Sequence, residues 1–235
     1  MRRWLVAVSV LVSCSALAQD SQTTFEGVTF YRDSKVFVPI KEIGFALNWP
    51  MRSEGKKFFL NDVVADVKRT LFDGTKLIAV RDLEKWGLTV ESDSALEEVH
   101  LSLDDKIFVV KVSEKRIEIN KSKQMLRAYQ GERLVAETRV STGKKGFTTP
   151  SGEFTAGPEK ASMRYSRKYD NAPMPWALQV VGGVFMHGYR SVPKYPASHG
   201  CIRLPLWGEN AAKWLYSWTE IGMPISISSK WVTGE

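Results

Sequence analysis

Apolar and polar positions alternate in short runs along most of the chain, with turn residues between them, a pattern that predicts strands. In the first half Val38-Pro39-Ile40-Lys41-Glu42-Ile43 is echoed by Ala79-Val80-Arg81-Asp82-Leu83 at a fixed offset. Each copy reads as an apolar strand followed by a basic-acidic-apolar triplet that opens a short helix, with Trp49 or Trp86 near its end. Apolar-rich runs at Lys57 to Leu60 and Val99 to Leu103 read as return strands. Two strand–helix–strand halves thus predict a small α+β unit over about residues 26–103. In the second half Ile107 to Val112, Arg116 to Asn120, Met125 to Gln130, Leu134 to Ser141 and Gly152 to Ala156 are apolar or alternating. Ala177 to Met186 is strongly apolar with a break at Gly182-Gly183. Ala211, Trp214, Leu215 and Trp218 recur at helical spacing after Gly208-Glu209-Asn210, predicting a helix with a Trp-rich core face. Pro224 to Ser228 closes the series as a strand. The sum predicts a mainly β second domain, a sandwich or partly closed barrel with one or two helices.

Length and composition narrow the class. The 235 residues suit two small domains, and 43% hydrophobic with 25% charged residues excludes wholesale disorder or a collagen-like fibre. Beyond the N-terminus no apolar run approaches the roughly 20 residues of a spanning helix. Arg2 and Arg3, the apolar Trp4 to Val12 and the small-x-small Ala16-Leu17-Ala18 predict that residues 1–18 are a signal peptide, cut before Gln19. The alternative is a lipobox, Leu11-Val12-Ser13-Cys14, whose lipidated Cys14 would place the protein on a membrane. Both readings export the chain to a periplasm or cell wall, and both leave Cys201 as its one free thiol. Two cysteines and three histidines rule out a disulfide scaffold and argue against a metal cage, so no metal or cofactor is expected.

Charge is divided unevenly: 11 Lys+Arg against 14 Asp+Glu from Gln19 to Leu103, then 20 against 12 from Asp104 on. This supports a boundary near residues 103–106 and a basic second half that faces anionic partners. No nucleic-acid-binding motif accompanies it. Cell-wall polymer, with its free carboxylates, fits an exported basic domain.

The chemistry lies between residues 185 and 205. Phe185-Met186-His187-Gly188 is followed, after a short loop, by Ser198-His199-Gly200-Cys201-Ile202-Arg203-Leu204-Pro205. A thiol is mostly protonated at neutral pH, so a nucleophilic Cys201 needs an imidazole beside it, and His187 and His199 are at hand. Gly200 permits a turn that aims the amides of Gly200 and Cys201 into one pocket, where an oxyanion would sit. Arg203 shares the side of Cys201 if the chain is extended there, and its fork of donors suits a carboxylate or carbonyl. A Cys/His metal site lacks a fourth ligand, and a papain-like order would put the cysteine before its histidine.

At these residues the sequence resembles the L,D-transpeptidase catalytic domain of the YkuD type. Ser198 to Arg203 matches that family's Ser/Thr-His-Gly-Cys-x-Arg/Asn signature in full. Ser141-Thr142-Gly143, Thr149-Pro150-Ser151-Gly152-Glu153-Phe154 and the Gly222-x-Pro224 strand support it over residues 106–228. The resemblance implies a β-sandwich-like catalytic domain that cross-links peptidoglycan stem peptides through a cysteine acyl-enzyme. It makes Cys201 the nucleophile and His187 the general base and acid. His199 and Ser198 would shape the site, Gly200 and Cys201 would supply oxyanion donors, and Arg203 would contact substrate. The loop from Gly188 to Ala197 is short for the family, which bears on any lid contact. The acceptor stays open among a diaminopimelate amine, a lysine of a wall-anchored protein, and water, which would make the enzyme an L,D-carboxypeptidase. A non-catalytic wall-binding scaffold is the reading from another class. Residues 26–103 resemble the stalk-like N-terminal domain of copper amine oxidases, which implies an accessory module that spaces or docks a catalytic domain. Copper is not implied, because His100 is that segment's one histidine and it has no cysteine.

Overall fold

The computed structural model describes residues 23–232, so the signal-peptide and lipobox readings, with Cys14, lie outside the described residues. The internal repeat is visible as structure. Strand Val36–Pro39 runs straight into a helix, Ile40–Leu47, and strand Lys76–Ala79 runs into the 3-10 helix Val80–Trp86. The two strands pair antiparallel with Val38 opposite Ile78, so equivalent residues of the repeat meet across a local two-fold. Ile40, Ile43 and Leu47 recur at helical spacing on the buried face of the first helix, which ends at Asn48 in a left-handed conformation. Behind each helix a meander follows. Met51–Glu54, Lys57–Leu60 and Val63–Ala65 form one sheet, and Thr89–Asp93 with Glu98–Leu103 begins another.

That second sheet departs from the sequence expectation. The run near Ile107 reads as the first strand of the catalytic half. In the structure Lys106–Lys111 is antiparallel to Glu98–Leu103 and parallel to Thr23–Glu26. The cause is local: Asp104-Asp105 is a two-residue turn, with Asp104 at a φ of 53°, and it folds the strand back on its neighbour. Phe108 and Val110 then join Phe25 and Leu101 in the core of the first half.

The second half is mainly β and holds two sheets. One has five strands in the order Arg133–Arg139, Met125–Gln130, Lys115–Asn120, Pro224–Ser228, Gly152–Thr155. The other has four, in the order Lys160–Ser166, Ala172–Val181, Val184–Tyr189, Ile202–Pro205. Ile117, Ile119, Leu126 and Ala128 from the first sheet share one core with Leu178, Val180, Met186, Ile202 and Leu204 from the second, as in a β-sandwich. The helix Ala211–Trp218 packs on the four-stranded sheet and contributes Ala212, Leu215 and Trp218 to this core.

The first half is docked along that helix. Val28, Phe30, Phe37, Leu71, Leu77 and Ala79 are buried in the same core as the sandwich. Phe30 meets Trp214 edge-on, with ring centroids 6.0 Å apart. The Trp214 indole N–H donates to the Thr70 carbonyl, and the Tyr31 amide donates to the Ser217 carbonyl. Arg133 forks onto both carboxylate oxygens of Glu42 at 2.7 Å. Among the described residues no helix is long and apolar enough to cross a membrane.

Candidate active site

Strand register decides where the signature residues point. Val184–Tyr189 and Ile202–Pro205 run parallel, with Met186 opposite Ile202 and His187 opposite Arg203. Side chains alternate along a strand, and paired residues share a face. Met186, Ile202 and Leu204 enter the sandwich core, which turns His187 and Arg203 to the other face. Cys201, two residues before Arg203, lies against Met174, Ala177 and Phe185 on that face. A cavity of about 800 Å³ opens there, lined by His187, His199, Cys201 and Arg203 together with Arg164 and Tyr169. A larger cavity of about 960 Å³ lies between the two halves and is lined by none of these residues.

The turn that carries the thiol is held by a cradle the sequence marks only as motif. The Thr142 carbonyl accepts from the amides of Ala197 and Ser198, and the Lys144 amide donates to the Ser198 carbonyl. Thr149 Oγ1 accepts from the Gly143 amide at 2.8 Å and donates to the Gly200 carbonyl at 2.7 Å. The Gln124 side-chain amide fixes Thr142 from both its amide and its hydroxyl. Gly143 must be glycine, since a Cβ there would stand 1.8 Å from the Phe147 carbonyl oxygen. Gly200 has a φ of 114°, in the region that favours glycine.

The turn also engages one group that the sequence alone leaves free. Ser198 is buried, and its hydroxyl donates to the Cys201 carbonyl at 2.5 Å while accepting the Gly200 amide at 3.1 Å. Ser198 therefore ties the backbone of the turn together at the edge of the cavity, which it also lines. The Gly200 amide, expected to face an oxyanion, is already engaged. A serine two residues upstream competes for it, as serine hydroxyls do for nearby backbone.

Burial and charge set the protonation states. Burial pushes the Cys201 thiol up, opposed by a hydrogen bond from the Phe185 backbone and by the charges of Arg164 and Arg203. Its sulfur is 3.8 Å from the Gly183 carbonyl. His187 is 6% exposed, and burial lowers it to about 4, with the Gly188 hydrogen bond opposing and Arg203 assisting. At neutral pH a neutral imidazole thus shares the cavity with a neutral thiol. His187 Nδ1 lies 3.0 Å from the Gly188 carbonyl, which can only accept. The neutral ring therefore carries its proton on Nδ1 and leaves Nε2 unprotonated.

His199 is placed differently. It is exposed, with its ring between Phe147 at 4.8 Å and Tyr169 at 4.9 Å between centroids. Its basicity is lowered by desolvation, then by Lys144, Arg203 and Lys168. Arg203 is held on both sides by backbone hydrogen bonds with Ser141, and its guanidinium lies 4.1 Å over the Tyr189 ring. Lys144, Arg164, Arg167 and Lys168 add positive charge around the site. The sequence does not single out Arg164, because the strand Lys160–Ser166 is a half-exposed edge with no clean alternation, nor Tyr169, which lies in the turn that follows it. Among the described residues no group of three or more His, Cys, Asp or Glu is placed to hold a metal ion.

The signature residues lie within a stretch that matches a family model. Residues 114–227, just under half of the chain, match the model of the L,D-transpeptidase catalytic domain, YkuD. Among solved structures, the chain is similar to an L,D-transpeptidase from Stackebrandtia nassauensis, with 23% identity, a TM-score of 0.45, and 49% of this chain covering 56% of that one. It is similar to the L,D-transpeptidase of Xylanimonas cellulosilytica, with 29% identity, a TM-score of 0.43, and 50% covering 62%. An L,D-transpeptidase from Mycobacterium smegmatis matches over 90% of this chain and 96% of its own, with 18% identity and a TM-score of 0.45. The chain spans less than two thirds of the length of the first two. No curated protein matches it.

Proposed function

We propose that this protein is an exported L,D-transpeptidase that acts on peptidoglycan tetrapeptide stems through an acyl-enzyme on Cys201. The observation that carries the reading is that Cys201, His187 and Arg203 line one basic cavity, the last two opposite each other on adjacent strands of a domain that matches this family. As Cys201 Sγ attacks the amide carbonyl between the third stem residue and a terminal D-Ala, its proton passes to His187 Nε2. The oxyanion meets the Cys201 amide, since the Gly200 amide is taken by Ser198. The imidazolium then protonates the leaving nitrogen, the C–N bond breaks, and D-Ala departs, leaving a thioester. An acceptor amine attacks the thioester, its proton returns through His187, and the thiol is regenerated. A diaminopimelate amine gives a 3→3 cross-link, a wall-protein lysine gives anchoring, and water gives carboxypeptidase action.

Starting from a neutral pair suits this sequence. No thiolate has to be stored in the buried site, and the proton moves as the bond forms. The first half, docked along the helix Ala211–Trp218, acts as a fixed accessory module.

The test is mass spectrometry of the purified chain incubated with a stem tetrapeptide. We expect an adduct on Cys201 with loss of one D-Ala, and none with Cys201→Ser. A wild-type chain that binds the peptide without forming an adduct, while its thiol stays titratable, would favour the wall-binding scaffold.

A further inference from the structure

Two guanidinium groups flank the thiol, and they belong to different walls of the cavity. Arg203 lies over Tyr189, whose ring meets that of His187 edge-on with centroids 6.1 Å apart. Arg164 comes from the edge strand Lys160–Ser166, where it stands opposite Met174 in register. Its guanidinium carbon is 4.1 Å over the ring of Phe185, and Met174 and Phe185 both pack with Cys201. The charge of Arg164 is also felt at the thiol, ahead of that of Arg203.

The proposed chemistry orients a substrate between these two poles. His187 must protonate the leaving nitrogen, so the leaving amino acid lies on the side of His187 and Arg203. The acyl residue then lies across the thiol, toward Phe185, Met174 and Arg164. Its side chain meets a prepared pair. Arg164 Nε donates to Glu159 Oε1 at 2.6 Å, which leaves both terminal nitrogens of the guanidinium and the second Glu159 oxygen available. The Glu159 backbone is anchored at both ends, its amide on the Gln179 side chain and its carbonyl on the Gln179 amide. Both side chains stay partly open, 30% for Arg164 and 45% for Glu159, and both line the cavity. A lone guanidinium accepts any carboxylate. A fixed guanidinium beside a fixed carboxylate fits a group that carries a carboxylate and an ammonium on one carbon.

We propose that Arg164 and Glu159 together read a free α-amino-acid head at the end of the acyl residue's side chain. The site then selects diaminopimelate-type donors over donors whose side chain ends in a bare amine or an amidated carboxylate. This inference rests on the acyl-transfer reading and adds to it the residues that set donor choice.

The experiment follows acylation of Cys201 by mass spectrometry with four tetrapeptides: one with diaminopimelate, one with its side-chain carboxylate amidated, one with lysine, and one with the terminal D-Ala amidated. For the wild-type chain the free head should acylate about tenfold or more faster than the side-chain amide or lysine, the scale of a charge-assisted contact. In Arg164→Gln those ratios should collapse toward one, a readout that general damage to the fold would not produce, while Glu159→Gln, which loses the partner of an ammonium all three side chains carry, should slow the three alike. The ratio between free and amidated D-Ala should survive in both variants. A wild-type chain indifferent to the side-chain head would overturn the proposal. So would an Arg164→Gln variant that keeps the ratio, or one that loses only the D-Ala ratio. If no peptide acylates a thiol that is still titratable, the acyl-transfer reading falls and the proposal with it.

Discussion

His187 and Arg203 stand opposite each other on adjacent parallel strands, and the guanidinium adds to burial in holding the imidazole neutral. An ordinary histidine titrates near 6.5, whereas burial lowers this one to about 4. The base form therefore persists through mild acid. We predict that the acid limb of Cys201 acylation falls as pH drops through about 4. The same shift has a stability cost with a fixed sign. The unfolded chain binds this proton more readily, so stability is full above about 6.5 and declines as pH falls toward about 4, by on the order of 3 kcal/mol. Acylation rates after a rapid pH jump, with urea melts at each pH, check both. An acid limb centred near 6.5 would mean His187 is open to water.

The two histidines should separate on mutation. His187 is buried and lines the same cavity as the thiol, while His199 is exposed between Phe147 and Tyr169. His187→Ala should slow acylation by at least about 10²-fold, the lower range for a positioned acid–base group. His199→Ala should cost about tenfold or less, through looser packing of the turn. The reverse order in single-turnover rates would move the base to His199.

Ser198 tests the turn without touching the reacting atoms. Its hydroxyl joins the Cys201 carbonyl to the Gly200 amide in a buried setting. Ser198→Ala leaves two backbone groups without that partner, and we expect a loss of about 1–3 kcal/mol in urea unfolding. Acylation should fall as well, because the thiol rides on this turn. A variant as stable as wild type would show that the turn is held by Thr149 and Thr142 alone.

Much of this arrangement is legible in the sequence, and the exceptions have physical causes. Ile117 and Ile119, or Ile225 and Ile227, alternate because they enter a dry core, so their strands announce themselves. The thiol turn is legible because its chemistry restricts residue types: glycine at a positive φ, a thiol, and an imidazole one strand away. The strand Lys160–Ser166 is silent because it is an edge, paired on one side and half-exposed, so no burial enforces a period. Arg164 goes unread with it, and so does Tyr169 in the turn beyond. The strand near Ile107 is readable as a strand, but its partner is not, since a two-residue turn decides that and the apolar run does not. The Gly200 amide shows the same limit at the scale of one hydrogen bond.

Arg203→Lys keeps the charge and loses the plane. The guanidinium carbon lies 4.1 Å over the Tyr189 ring while its backbone is locked to Ser141, and an ammonium lacks the guanidinium's fork of donors there. We predict a fall in acylation of about tenfold or more that persists at high salt, where the screening length is well under about 10 Å. Lys144→Ala and Lys168→Ala, which act on the site from its rim, should be mild and fade as salt rises. Rates measured for all three across ionic strength decide the matter. If Arg203→Lys matches wild type throughout, Arg203 serves the turn and not the substrate.

The shared core makes a prediction about cooperativity. Phe30 is 3% exposed and sits edge-on to both Phe37 and Trp214, so it belongs to the first half by sequence and to the sandwich by packing. Phe30→Ala should cost about 3–5 kcal/mol, the usual range for emptying a buried aromatic site. Because the halves share that core, the loss should lower one unfolding transition for the whole chain instead of releasing the first half alone. Glu42→Gln should act in the same direction and more weakly, since it removes one charge from a forked pair with Arg133. Urea unfolding followed by tryptophan fluorescence, with the remaining acylation of Cys201 read at each point, tests this. Coincident curves are expected. A first transition that leaves acylation intact would make the first half an independent unit, and its contacts with the helix Ala211–Trp218 would then be too weak to couple the two.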